Sequence, residues 1–72
     1  MRGSTKIFKS KEDAAKGIRA FRDRNDISQA ALAAELGITT MSISLYENAR
    51  HMPMPYLKLA LSALEQELNR TK

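Results

Sequence analysis

The sequence predicts an all-α fold, a compact bundle of four or five short helices in one domain. Apolar residues recur at helical spacing in four segments, and no segment shows the strict alternation of a β-strand. Capping residues, glycines and prolines separate these segments. The chain has 72 residues and no cysteine. Because so small a domain buries only about 60% of its unfolded surface, its stability must come from apolar packing.

The composition favours a polyanionic partner. Twelve Lys and Arg against eight Asp and Glu give a net charge of +4, and nucleic acid is the commonest partner of a small basic domain. With no cysteine and a single histidine, His51, we expect no metal and no cofactor. No apolar run approaches the roughly 20 residues of a membrane span. The basic start is not followed by the apolar stretch of a signal peptide. We therefore expect a cytoplasmic protein.

Residues 1–10 carry no helical pattern and are basic. We predict that they form an N-terminal arm before a helical domain of residues 11–72. The first four residues, Met-Arg-Gly-Ser, also open some expression tags. The segment is therefore either a native flexible arm or partly the remnant of a tag.

The first helix should begin after Ser10, which can cap it, with Asp13 three residues on in a shortened capping box. Its buried stripe has i, i+4, i+7 spacing: Ala14, Ile18 and Phe21. The helix is predicted to end in a polar turn formed by residues 22–26. Gly17 costs a helix up to about 1 kcal/mol relative to alanine, so we expect another group to pack closely there.

The second and third helices are short. Ser28 can cap the second helix, and Gly37 can end it in the left-handed conformation. Thr39 can cap the third helix, whose inward residues we expect to be Ile43 and Tyr46.

The fourth helix should start at Pro55, a favoured first-turn residue. One stripe of leucines can close the core: Leu57, Leu61, Leu64 and Leu68. Three more residues widen the apolar arc beyond a typical stripe of about 100°: Tyr56, Leu59 and Ala63. A surplus apolar face indicates a partner, and we expect a second copy of the chain. Alternatively, Tyr56 and Leu59 cover the loop 49–55 or the N-terminal arm.

Residues 29–48 form one unit in which two short helices cross at a steep angle. The first helix must be small at the crossing, where Ala33 lies, and the turn needs the positive φ that Gly37 reaches easily. Five apolar residues fill the angle: Leu32, Leu36, Ile38, Ile43 and Tyr46. The bundle is thus predicted to contain a central helix-turn-helix, the unit that places its second helix in the DNA major groove.

The segment Ile27–Asn48 resembles the Cro/repressor family of helix-turn-helix domains, and the likeness extends back to Ile18. The shared features are Ser28-Gln29, Leu32-Ala33, Gly37, the Thr39 cap, Ile43 and Glu47. The resemblance implies a sequence-specific transcriptional regulator that binds double-stranded DNA, and not an enzyme. A weaker likeness, carried by Pro55-Tyr56, Ala60-Leu61 and Leu64, is to small phage regulators, including autorepressors encoded beside anti-CRISPR genes.

The resemblance also implies residue roles. The exposed face of the third helix would read bases: Thr40, Met41, Ser44 and Leu45. Four residues around it would contact phosphates: Gln29, Ser42, Asn48 and Arg50. The alternatives are that Gln29 touches an outer base pair and that Arg50 reaches a base. The family often has Gln, Arg, Lys or Asn at its reading positions. Here Thr and Ser discriminate little, while Met and Leu can pack only against thymine methyl groups, so readout should be poor in hydrogen bonds and biased toward thymine.

The resemblance further implies an ion pair between Arg22 and Glu47, which joins the first and third helices. The alternative is that Arg22 contacts a phosphate. Where the family often has glycine after Asn48, this chain has Ala49, so the exit from the helix should differ. Because neither central helix carries a Lys or Arg, phosphate attraction must come from elsewhere: Lys6, Lys9, Lys11, Lys16, Arg19, Arg24 and Lys58.

These features together predict a homodimeric repressor joined through its fourth helix, with the interface formed by Tyr56, Leu59 and Ala63. Two recognition helices about 34 Å apart would read a palindromic operator, and repression would act by steric block, including at its own promoter. The alternative is a protein-interaction module, such as an antitoxin-like subunit, that uses the apolar face of the fourth helix. No small-molecule ligand is expected, because so short a chain gives no basis for a ligand pocket. No enzyme activity is expected, because the chain lacks a nucleophilic cysteine and a phosphate-binding glycine loop.

Overall fold

The computed structural model describes residues 7–70, which fold into four α-helices: α1 Lys11–Asn25, α2 Gln29–Leu36, α3 Thr40–Glu47 and α4 Leu57–Arg70. Across this range there is no β-strand, so the predicted all-α fold is confirmed, with four helices. None of the four is both long and apolar enough to span a bilayer. Residues 1–6 of the predicted arm, with Lys6, and residues 71–72 lie outside the described part of the chain.

The first three helices, α1, α2 and α3, begin at the predicted caps. Each capping hydroxyl accepts the backbone N–H of the residue three positions on, at 3.0–3.1 Å: Ser10, Ser28 and Thr39. At α1 the return bond reaches further back than a capping box, because the carboxylate of Asp13 accepts the N–H of Lys9 at 2.9 Å. Side chains thus satisfy backbone donors that have no partner inside the helix.

The ends of α1, α2 and α3 share one left-handed motif. Asp26, Gly37 and Ala49 have φ of 54°, 72° and 56°. In each case the next residue donates its N–H to the carbonyl five residues back, at 2.9–3.1 Å, which defines a Schellman motif. The predicted end of α1 was wrong: the polar run is helical as far as Asn25. It remains helical because the side chain of Asn25 donates to Glu65 of α4, while Asp26 takes the left-handed turn.

The core lies where α1 packs against α3 and α4, with α2 crossing α3. Its largest fully buried side chains come from all four helices: Ile18, Phe21, Leu32, Ile43 and Leu57. Ala33 is buried as predicted, and the leucine stripe of α4 faces inward. The predicted start of α4 was wrong by two residues. Pro55 lies in a turn closed by the Leu57 N–H and the Met54 carbonyl, and the Tyr56 carbonyl accepts the first helical bond.

Phe8 lies in the segment predicted as a basic arm, yet its ring is only 6% exposed and belongs to the core. The ring rests on Gly17, where an added Cβ would come within 2.6 Å of Phe8 Cε1. The expected close packing at Gly17 is therefore present, with Phe8 as the neighbour. The Nζ of Lys58 lies 5.6 Å from the centroid of the same ring, so Phe8 joins α1 to α4.

Candidate nucleic-acid interface

The four predicted base-reading residues lie together on the outward side of α3, and we call this surface the α3 face. Ile43 and Glu47 are buried, and they fix the inward side of the helix. Residues three or four apart share a helical face, so the α3 face combines exposed Thr40 and Met41 with half-buried Ser44 and Leu45. Met41 is 71% exposed, although it is a large apolar residue.

Most hydroxyl groups on and beside this face are already hydrogen-bonded. The Thr39 hydroxyl donates to the Ser42 hydroxyl at 3.0 Å. The side-chain amide of Asn48 donates to the carbonyl of Ser44 at 2.8 Å and to its hydroxyl at 3.4 Å. The Thr40 hydroxyl makes no hydrogen bond to any residue between positions 7 and 70. Thr40 therefore offers the freest polar group of the α3 face.

The predicted phosphate-contacting residues differ in availability. Arg50 is exposed just beyond α3, and it lines a shallow depression with Leu45, Asn48 and His51. The Gln29 side chain is half-buried and donates to Glu47 Oε1 at 3.0 Å. Because an amide nitrogen carries two hydrogens, Gln29 retains one donor for another acceptor. Ser42 and Asn48 make the bonds already described.

Glu47 connects three helices from beneath the α3 face. Its carboxylate accepts both the Nε and the Nη2 of Arg22, the latter at 3.0 Å, as well as the amide of Gln29. Arg22 Nη1 also donates to the carbonyl of Ile27 at 3.2 Å. Burial of the carboxyl favours its neutral form, but the hydrogen bonds from Arg22 and Gln29 and the charge of Arg19 outweigh it and lower the pKa of Glu47. Glu47 is therefore ionised in the folded domain at neutral pH.

The positive charge lies away from α2 and α3, whose only charged side chains are Glu35 and Glu47. Arg24 was included among the basic residues expected to attract phosphate, but it forms a bidentate ion pair with Glu65 at 2.7 and 2.8 Å. The Arg24 guanidinium carbon also lies 5.8 Å from the Phe21 ring centroid. Nothing in the sequence pattern identifies this pair, because its partners are 41 positions apart.

The predicted interface residues lie within α4 or, in the case of Tyr56, in the turn just before it, and all three are exposed to solvent. Tyr56 is 71% exposed, Leu59 is 50% exposed, and Ala63 is exposed as well. Leu59 and Ala63, four residues apart, share one face of α4, and Tyr56 lies three residues before Leu59 in the preceding turn. In the part of the chain that the structure describes, all three side chains remain exposed, so none of them is buried against the loop 49–55.

A family model described as Helix-turn-helix matches residues 18–69, which is more than half of the chain. The match contains α2, α3 and the turn between them. The chain therefore belongs to the helix-turn-helix family of the Cro/C1 type, and the resemblance seen in the sequence is confirmed. This family is a DNA-binding regulatory domain, so the protein is a transcription regulator that binds double-stranded DNA. No curated protein and no solved structure shows a significant match.

Proposed function

We propose that the protein is a sequence-specific repressor that reads its operator through the α3 face. The observation that carries this proposal is the exposure of Met41, a large apolar side chain at the outer surface of the second helix of the motif. The core does not need this side chain, and the second helix is the one that enters the major groove in helix-turn-helix proteins. Thr40, Ser44 and Leu45 lie beside it and would meet base edges.

The backbone contacts would come from Gln29, Ser42, Asn48 and Arg50, as the family resemblance implies. Among them Arg50 has the best chemistry for this role, because it is exposed and charged, and phosphate contacts account for most of the salt dependence of DNA binding. Gln29 can use its second amide hydrogen without leaving Glu47. Replacing Arg50 with alanine should weaken binding to all sequences and reduce the salt slope by about one.

We further propose that the regulator acts as a homodimer through α4. The exposed apolar side chains of Tyr56, Leu59 and Ala63 form the kind of patch that marks a protein contact. A two-fold axis there would present two α3 helices about 34 Å apart to a palindromic operator. Repression would follow from steric block of a promoter, including the protein's own, in the cytoplasm of a phage-infected or bacterial cell.

The proposal is tested by enrichment of random duplex DNA with the purified protein at about 150 mM salt. An inverted repeat with half-sites about ten base pairs apart would support a dimeric reader. Sedimentation of the protein and of Leu59→Lys would test the interface, because a buried unpaired charge should leave only monomer. Enrichment of no motif would contradict sequence-specific reading and favour a module that binds a protein through α4.

A further inference from the structure

We propose that the α3 face recognises the C5-methyl group of pyrimidines in the major groove. Thymine and 5-methylcytosine would then be read alike, whereas uracil and unmodified cytosine would be discriminated against. This inference rests on the proposed function, because it requires α3 to lie in the groove. It deepens that function by naming the chemical group on DNA that is read.

The α3 face carries few hydrogen-bonding groups. Strong base discrimination usually comes from bidentate pairs made by Arg, Lys, Asn or Gln. None of these residue types occurs between Thr39 and Glu47. The hydroxyls of Thr39 and Ser42 bond each other, and the hydroxyl of Ser44 receives the amide of Asn48. What remains on the face is the hydroxyl of Thr40, the hydrogen of the Ser44 hydroxyl and two apolar side chains.

The two apolar side chains, Met41 and Leu45, lie on the same side of α3. Met41 is 71% exposed, and Leu45 follows four residues later on the same side of α3. The edges of the bases in the major groove are polar except for the thymine methyl group. Burying Met41 against a polar edge would leave base donors or acceptors without partners. Contact with a methyl group removes apolar area of both partners from water, and the flexible thioether of methionine adapts to irregular surfaces.

Thymine and 5-methylcytosine are the two methylated pyrimidines that the α3 face would meet. Both carry the methyl group at ring carbon C5, and they differ beside it in an acceptor, O4 of thymine, and a donor, N4 of cytosine. Hydroxyl groups can accept or donate, so the free hydroxyl of Thr40 satisfies either edge. The α3 face therefore has little means to distinguish thymine from 5-methylcytosine.

The experiment uses the operator obtained by enrichment and changes one thymine at a time. Substitution by deoxyuridine removes only the methyl group and keeps the base pair. We expect affinity to fall about fourfold at each contacted thymine, which corresponds to one buried methyl group. Replacing the T·A pair by C·G should also weaken binding, and 5-methylcytosine at that position should recover about fourfold relative to cytosine.

Three variants assign the effect to the α3 face. In Met41→Ala the loss caused by deoxyuridine should shrink toward zero at the thymines that Met41 contacts, and because Met41 is mostly exposed this variant should remain folded. In Met41→Gln the introduced amide should shift the preferred base toward adenine. Met54→Ala changes a methionine that is 47% exposed and lies outside α3, so it should keep the full deoxyuridine effect.

Equal affinity for the thymine and deoxyuridine operators at every position would overturn the inference while leaving the proposed function intact. A deoxyuridine effect that is undiminished at every thymine in Met41→Ala would also overturn it, because the most exposed apolar side chain of the face would then contribute nothing to the reading. If the protein enriches no sequence at all and ignores every base substitution, the proposed function fails, and this inference fails with it.

Discussion

Arg22 of α1 and Glu47 of α3 form a bidentate ion pair that holds the recognition helix against the rest of the domain. The carboxylate of Glu47 is only 6% exposed, whereas the Arg22 side chain is 22% exposed. Gln29 joins the pair from α2, so one carboxylate fixes the relative positions of three helices. Glu47 lies on the inward side of α3, and this network orients the opposite, outward face without contributing to that face.

Removing one partner of this pair should lower the free energy of unfolding of the domain. Arg22→Ala leaves the buried carboxylate of Glu47 without its countercharge, and such losses typically cost 3–5 kcal/mol. Because Arg22 is partly exposed, we expect about 3 kcal/mol, measured as the change in unfolding free energy in urea.

The chain offers a matched control in Arg24→Ala, which removes the other bidentate arginine, paired with Glu65 in a more exposed setting. Its effect on unfolding should be clearly smaller, since exposed pairs are screened by solvent. Equal losses from the two variants would show that burial does not determine the strength of these pairs.

The stability of the domain should fall on acidification through the protonation of Glu47. Its pKa is lower in the folded domain than its ordinary value of 4.5, so the folded state binds fewer protons than the unfolded chain. The stabilising contribution is present above that value and is lost as the pH falls below it. Glu47→Gln should be less stable than the wild type at pH 7 and should lose less stability between pH 6 and pH 3. Parallel pH profiles for the two proteins would refute this.

Gly17 should tolerate alanine only if Phe8 is removed. In the intact chain a Cβ at position 17 would meet the Phe8 ring, so Gly17→Ala should cost about 1–2 kcal/mol, an overpacking cost reduced by better helix propensity. In a Phe8→Ala background the ring is absent, and the same change should stabilise by about 1 kcal/mol. Urea unfolding of the four proteins measures the cycle. The same sign in both backgrounds would mean that Phe8 does not rest on Gly17.

Ala49 and Gly37 give opposite substitutions at the same kind of helix end. Both residues have positive φ, which costs an alanine roughly 1–2 kcal/mol. Ala49→Gly should therefore stabilise the domain by about 1 kcal/mol. Gly37→Ala should destabilise it by a similar amount, because no atom lies within 4 Å of the added Cβ and only the backbone conformation opposes the change. Thermal unfolding that shifts both variants in the same direction would be incompatible with this account.

The sequence predicted most of the fold because its signals are local. The caps at Ser10, Ser28 and Thr39 and the glycine turn at Gly37 depend on neighbours within a few residues, and each lies where it was expected. The error at the end of α1 has a long-range cause, whereas at the start of α4 a local turn closed by Leu57 and Met54 takes the place of the expected first helical residues. Long-range contacts, such as that of Asn25 with Glu65, prolonged one helix beyond the point where its local polarity predicted an end.

Other features of the structure depend on long-range contacts, and no spacing in the sequence reveals them. The burial of Phe8 depends on the groove above Gly17, and the Arg24–Glu65 pair joins residues from different helices. The positions of the α3-face residues were predictable from helical periodicity, because Ile43 and Tyr46 define the inward side. Their hydrogen bonds were not predictable, since the engagement of Ser44 by Asn48 depends on the rotamer of an exposed amide.

That the α3 face reads DNA is best tested by measuring the affinity of the double variant Thr40→Ala/Met41→Ala. This affinity is compared between the enriched operator and an unrelated duplex at the same salt concentration. Both residues are exposed, so the free energy of unfolding should change by less than about 0.5 kcal/mol. We expect operator affinity to fall toward that of the unrelated duplex, while binding to the unrelated duplex is unchanged. A folded double variant that retains the full preference for the operator would contradict this expectation.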